Sequence, residues 1–285
     1  MTYYTHGGLF HCDEVTGYAI VSLAEVCNEF VRLTDLNDIP TTGLVADIGR
    51  VYDPEVNRFD HHQDFLQRPD GYPYASAGLL WKEFGHLVVG QRINSNSTFI
   101  QKVVNEVDQV LIRGIDAHDA DNAYRLAGKC SAGDVTVMSL PMVIGSFNSL
   151  DIHNRDEQDS RFSAAASLMK NVIISAIDSA TKYIKDVDRF DEIAEIQGTV
   201  IVLPEPVSWK RIVCERFPNT LFVISPSGHP GNKYSMIAVP VSPDSRELKR
   251  SIERPEWFSG FIHQGKWIAG SNEIDELLKL AEFNS

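Results

Sequence analysis

The first thirty residues commit the chain to a strand-to-helix crossover. Tyr3-Tyr4-Thr5 has the aromatic and β-branched character of a short strand. Gly7-Gly8 turns the chain. From Asp13-Glu14 an amphipathic run extends to Phe30, with Val15, Tyr18, Ala19, Ser22 and Val26 at helical spacing. Acidic residues at its start suit the helix dipole. Open α/β sheets place their sites at such crossovers. This one carries His6, His11, Asp13 and Glu14. Taken singly, each carboxylate reads as a helix cap and each histidine as a turn residue. Four such groups at one crossover are a stronger signal.

Two further segments add to it. Gly43-Leu44-Val45-Ala46-Asp47-Ile48-Gly49 reads as a buried strand with Asp47 near its carboxyl end. A carboxylate there is unfavourable to bury unless it is paired or bound to a cation. Tyr52-Asp53-Pro54 reads as a turn. Asn57 to Gln63 then brings Asp60, His61 and His62 together. Adjacent side chains on a strand face opposite ways, so at most one of the two imidazoles fills a core. Arg68-Pro69-Asp70-Gly71-Tyr72-Pro73 reads as a mobile loop.

The next signals are helical. A helix is expected from Ser76 through Phe84, closed by Gly85, and another over Phe99 to Ile112. The second runs into Gly114 to Asn122, either a solvated acidic loop or the last piece of a cation site, with Asp116 the residue expected to point inward. Residues 123–150 stay unassigned. Asp156 to Val187 reads as one long connecting helix. From Gly198 the pattern turns to strands over Thr199 to Leu203, Thr220 to Ile224 and Tyr234 to Val239. Short helices are expected near Trp209 to Phe217, Arg246 to Ile252 and Ile274 to Phe283. The reading is α/β in two parts: a parallel-sheet N-terminal domain over residues 1–150, a helical connector over 151–195, and a smaller mixed α/β domain over 196–285.

Composition narrows the function. The 285 residues are 43% hydrophobic, enough for a substantial core, and carry a net charge of −13. So acidic a chain lacks the basic footprint of a general nucleic-acid coat. A site where metal ions supply the positive charge stays open. Cys12, Cys27, Cys130 and Cys214 form no C-x-x-C pair, so they read as reduced thiols of a cytoplasmic protein. No basic segment followed by an apolar run marks a signal peptide. No apolar run approaches the ~20 residues that span a bilayer.

His6, His11, Asp13, Asp47, His61 and Asp116, with His62, make a nitrogen and oxygen ligand set. It suits Mn²⁺, Fe²⁺ or Co²⁺, with Mg²⁺ as an alternative, better than structural zinc. The set is long enough for two divalent metal ions, which can drive attack of an activated water on a phosphorus centre.

His6-x4-His11-Cys12-Asp13-Glu14, Val45 to Gly49, Tyr52-Asp53-Pro54, Arg58 to Gln63 and Ser76 to Leu80 together resemble the DHH phosphoesterase superfamily. More narrowly they resemble its MYG-type (melanocyte-proliferating-gene) exonuclease branch. Ile115-Asp116-Ala117, Arg254 to Trp257 and Phe261-Ile262-His263 extend the resemblance over nearly the whole chain. It implies a DHH-type fold for the first domain. It implies that His6 and His11 ligate one metal, that Asp13, His61 and Asp116 ligate a second, and that Asp47 bridges them. His62 would face the substrate phosphate and Asp60 would orient a histidine. In the C-terminal domain, Gly260 to Gly270 resembles a substrate loop, with His263 and Arg246 binding phosphate or a nucleotide end. Aspartate stands at the position of His11 in many superfamily members, and the loop's usual glycine pair is reduced here to Ala269-Gly270.

The expected function is a two-metal, Mn²⁺-dependent phosphodiesterase, a 3′–5′ exonuclease on RNA or short oligonucleotides, with a cleft between the domains selecting a strand end. One alternative keeps the metals and takes pyrophosphate, a cyclic dinucleotide or a nucleotide. Another is a non-catalytic metal- or nucleotide-binding module. No membrane partner is expected, and an oligomer is open.

Overall fold

The computed structural model describes residues 1–63, 66–120, 131–132, 135–136 and 138–285. The chain forms two compact units, Met1–Thr181 and Lys182–Ser285. Asp121, Asn122 and Cys130 lie outside the described residues.

The first unit is built on a five-stranded sheet of order β2-β1-β3-β5-β4. Its strands are β1 (Thr2–His6), β2 (Glu29–Leu33), β3 (Leu44–Ala46), β4 (Tyr52–Asp53) and β5 (Arg58–Phe59). All neighbours pair in parallel except β4 with β5. The central strands carry near-continuous apolar residues because both faces are covered. Tyr3, Leu44, Val45, Ala46 and Phe59 are all buried.

Helix α1 (Cys12–Leu23) is buried at every residue from Cys12 to Val21. It stops at Leu23 rather than running on to Phe30. Glu29–Leu33 instead takes parallel register against β1, with Phe30 opposite Tyr3. Helix α2 (Ser76–Arg92) continues past Gly85. A Cβ at Gly85 would meet the Trp81 indole at 2.9 Å, so this glycine makes room for a buried ring rather than ending the helix. Helix α3 (Ser97–Val107) passes through a π-helical turn, Asp108–Ile112, into α4 (Arg113–Ala120). The acidic stretch from Gly114 to Ala120 is therefore helix, not loop. The segment expected to be a mobile loop is anchored: Arg68 is buried, and its backbone N–H donates to Tyr72 O.

Two short antiparallel strands, β6 (Ser131–Ala132) and β7 (Val135–Thr136), and helix α5 (Leu140–Gly145) follow. Helix α6 (Arg155–Ile193) is the long helix the sequence predicts, and the boundary between the units falls within it.

The second unit carries a six-stranded sheet of order β12-β13-β11-β10-β9-β8. Its strands are β8 (Glu195–Gln197), β9 (Val200–Val202), β10 (Phe222–Pro226), β11 (Tyr234–Ala238), β12 (Phe261–Ile262) and β13 (Ile268–Ser271). Only β9 and β10 are parallel. Alternate residues feed two cores, as the strand period of two requires. Val200, Val202, Phe222 and Ile224 pack with α8 (Ile274–Asn284) on one side. Ile201, Leu203 and Val223 pack with α7 (Lys210–Arg216) and Phe190 on the other. No helix forms over Arg246 to Ile252. Its backbone bonds go to the segment just after β11 instead, with Val241 N–H donating to Glu247 O and Lys249 N–H to Val239 O.

Candidate metal centre

The carboxyl ends of β1, β3 and β5 and the first turn of α1 meet at one place. His6 is the last residue of β1, Asp47 follows β3, and Asp60-His61-His62 follows β5. Asp47 adopts a left-handed backbone, φ 58°. Aspartate tolerates that conformation better than most residues, yet it is a constrained position.

Asp47 is the hub. One carboxylate oxygen, Oδ2, lies 3.3 Å from His6 Nε2, and the other, Oδ1, lies 3.4 Å from His61 Nε2. His6 Nε2 also lies 3.0 Å from Glu14 Oε1, and His61 Nε2 lies 3.3 Å from Asp119 Oδ2. The His6 ring is fixed from behind by Nδ1 against Gly7 O at 2.9 Å. Among the described residues, three sets bring a ligand atom from each member within 4.8 Å of the others. They are His6, His11 and Glu14; Asp47, His61 and His62; and Asp13, His61 and Asp119.

Burial makes these contacts strong. Desolvation opposes charge on His6, but bonds to Asp47 and Glu14 outweigh it and raise the imidazole to about 11. Burial likewise opposes a charged His61, and Asp119 and Asp47 raise it to about 11. Desolvation pushes Asp47 up, yet His6 and His61 hold its carboxyl well below the usual range. Burial, then Asp47 and Asp119, push Asp13 well up. Burial raises Glu14 too.

The donor set fits divalent cations. Glu14 Oε2, Asp47 Oδ1 and His61 Nε2 are buried atoms that meet no hydrogen-bond geometry. Such groups are costly without a partner, and a divalent cation would supply one.

Surrounding groups fix these candidate ligands. Asp13 accepts from the N–H groups of Ser76, at 3.1 Å, and Ala77, at 2.7 Å, at the start of α2. A helix N-terminus suits a carboxylate. Asp60 accepts from Arg50 N–H at 2.6 Å and holds His62 Nδ1 at 2.6 Å. That bond raises the His62 imidazole. His62 is half exposed and lines a cleft of about 390 Å³ with His6, His11, His61 and Tyr74.

Asp116, expected among the ligands, is absent from these sets. Its Oδ1 accepts from Gly78 N–H at 2.9 Å, and its Oδ2 pairs with Arg68 at 2.7 Å. The residue beside His61 is Asp119, one helical turn on. The sequence leaves Gly114 to Asn122 as either an acidic loop or part of a cation site and singles out Asp116; Asp119 shares its face only because the stretch is helical. Glu14 was visible as a helix-start carboxylate, and its contact with His6 is what separates it from an ordinary cap. Gly78 is tightly held: a Cβ there would lie 1.8 Å from Asp116 Oδ2. Gly78→Ala is expected to lower stability by about 1–3 kcal/mol, read as a fall in thermal midpoint.

His263 and Arg246 belong to the second unit. His263 is exposed beyond β12, and its Nδ1 accepts from Gly265 N–H at 3.0 Å. Arg246 lines a separate cleft of that unit.

The model of the MYG1 exonuclease family, described as "Uncharacterised protein family (UPF0160)", matches residues 2–258. The chain belongs to this family. The family lies in the DHH-like phosphoesterase group. The relative named MYG1 exonuclease from Homo sapiens is 26% identical over 187 residues, 61% of this chain and 49% of that protein. The Bos taurus protein of the same name is 30% identical over 128 residues, 40% of this chain and 34% of its own length. A MYG1 protein of Chlamydia pneumoniae is 32% identical over 136 residues, 46% of this chain and 41% of its own. The chain thus spans about half, or less, of the curated relatives it matches. A solved structure of a pGpG-specific phosphodiesterase, PggH, from a Vibrio species covers 99% of this chain and 96% of its own, at 13% identity and a TM-score of 0.28. At that score the likeness carries no argument. No helix among the described residues is long and apolar enough to cross a membrane.

Proposed function

We propose that this chain is a divalent-metal-dependent phosphodiesterase that removes nucleotides from the 3′ end of RNA or short oligonucleotides. The observation that carries it is Asp47, with one oxygen facing His6 and the other facing His61. Membership of the family, and the word exonuclease in the names of its mammalian relatives, support the reaction class. The 3′–5′ polarity rests on the family resemblance.

In this reading the cofactor is a pair of Mn²⁺ ions: His6, His11 and Glu14 would hold one, Asp13, His61 and Asp119 would hold the other, and Asp47 would serve both. When bound, they supply Lewis-acid charge to the phosphoryl oxygens and lower the pKa of water to near neutral. The chain's own groups do the rest. His62, its imidazole raised by the bond to Asp60, meets a phosphate oxygen at the cleft mouth. Asp60 keeps that ring aimed, because Arg50 N–H and His62 N–H anchor its carboxylate. Burial of Asp13, Glu14 and Asp47 keeps bulk water off the charged cluster. The first unit carries this chemistry, and the second, with His263 and Arg246, carries the grip on substrate.

The test is release of mononucleotides from 3′-labelled single-stranded RNA with Mn²⁺, run beside pyrophosphate and a dinucleotide. Release from RNA should cease with EDTA and return when Mn²⁺ exceeds the chelator. Undiminished release in EDTA contradicts the metal requirement. Turnover of pyrophosphate alone contradicts the substrate class.

A further inference from the structure

The candidate metal centre opens on a second cleft, of about 450 Å³, within the first unit. His6, Asp47 and His62 line it, as they line the cleft beside Tyr74. The rest of its wall is different. Leu36 and Ile39, from the segment after β2, and Ile48, from the loop after β3, form an apolar shelf. Leu36 is 68% exposed. Among the described residues, Arg50 is the one Lys or Arg in the lining.

Three observations set Arg50 apart from an ordinary surface cation. Its backbone is tied to the site: Arg50 N–H donates to Asp60 Oδ2 at 2.6 Å, and Asp60 Oδ1 holds His62 Nδ1, also at 2.6 Å. One carboxylate therefore fixes the root of the Arg50 side chain against the His62 ring. The loop that delivers it is also unusual. Asp47, Gly49 and Arg50 all take left-handed backbone, at φ 58°, 100° and 58°. Arginine gains nothing locally from that conformation, so the surrounding contacts impose it. Finally, the exposed guanidinium forms no hydrogen bond or ion pair among the described residues, in a chain of net charge −13. The carboxylates of the same cleft are engaged, Asp47 with His6 and His61, and Asp60 with His62. An uncommitted guanidinium over an apolar shelf suits a phosphate attached to a ring.

We propose that Arg50 holds the substrate phosphate one nucleotide to the 5′ side of the scissile bond, with the intervening nucleoside lying on the Leu36 and Ile39 shelf. This deepens the proposed function and rests on it for the substrate class and the direction of digestion. A nucleotide removed from the 3′ end carries away only the scissile phosphate, so the next phosphate belongs to the retained strand. The grip lies wholly in the first unit. It makes the enzyme read whether a dinucleotide carries a 5′-phosphate.

The experiment compares the dinucleotides pApA and ApA on the full wild-type chain and on Arg50→Gln and Arg50→Lys. Both variants keep the backbone N–H that anchors Asp60. Hydrolysis in Mn²⁺ is read as kcat and KM separately, and binding in EDTA, where nothing turns over, is read by calorimetry. Wild type should show a KM about tenfold lower for pApA than for ApA, and the same order of affinities in EDTA. Arg50→Gln should raise the pApA KM about tenfold while leaving the ApA KM and both kcat values unchanged, and Arg50→Lys should recover part of the preference. The thermal midpoints, measured alongside, should match the parent's because the side chain is exposed. Equal wild-type affinity for the two dinucleotides overturns the inference, as does an Arg50→Gln chain that keeps the wild-type preference. A fall in kcat for ApA would place Arg50 at the scissile phosphate and overturn it too. A chain whose binding preference for pApA depends on Arg50, yet which cleaves neither dinucleotide in Mn²⁺, overturns the proposed function and leaves the Arg50 assignment standing.

Discussion

Asp47→Asn is expected to cut Mn²⁺-dependent release of mononucleotides by on the order of 10³-fold or more. Asn is chosen over Ala for a backbone reason. Asp47 sits at φ 58°, which asparagine adopts readily and alanine adopts at a cost of roughly 1–2 kcal/mol. The amide keeps the shape but removes the negative charge that faces both His6 and His61. Glu14 meets His6 and His11, and Asp119 meets His61. Loss of Mn²⁺ stoichiometry should accompany the loss of rate, with the thermal midpoint little changed. A variant that keeps wild-type activity would remove Asp47 from the chemistry.

The largest effect on stability is expected from Arg68→Leu. Arg68 is buried, stacks on the Tyr74 ring at 4.2 Å, and pairs with both Asp108 and Asp116. Removing one member of a buried ion pair costs about 3–5 kcal/mol, because the other charge stays buried. The thermal midpoint should fall by roughly 10 °C, at about 2–4 °C per kcal/mol for a unit of this size. The pH dependence has a definite sign. Burial already pushes Asp116 up to about 7, with Arg68 pulling it down. Without Arg68 the folded value rises further, while the unfolded value stays near 3.9. Above the unfolded value the native state holds a proton that the unfolded chain has released, so stability declines as pH rises toward the folded value. The deficit of Arg68→Leu should therefore be larger at pH 8 than at pH 5. Equal deficits at both would show that Asp116 is not the group left exposed to the loss.

Much of this arrangement was legible from residues alone, for identifiable reasons. Apolar runs such as Leu44-Val45-Ala46 announce strands buried on both faces, and a following aspartate marks the sheet end where sites form. Val200 to Leu203 and Phe222 to Ile224 likewise announced the second sheet. The parts that were not legible depend on tertiary contact. Gly85 reads as a stop until the Trp81 ring beside it is known. Residues 246–252 read as a helix until the segment just after β11 captures their backbone. Within the acidic stretch the sequence singles out Asp116 and passes over Asp119. The π-turn at Asp108–Ile112, the helix it feeds, and Arg68 reaching back from an apparent loop assign them to different places.

The central claim is that one carboxylate is shared between two cation positions. An anomalous-difference map from crystals soaked in Mn²⁺ tests it most directly. Two peaks are expected, one within ligand distance of His6 and the other of His61, each also reached by an oxygen of Asp47. Peaks lying away from Asp47 at saturating Mn²⁺ would contradict it.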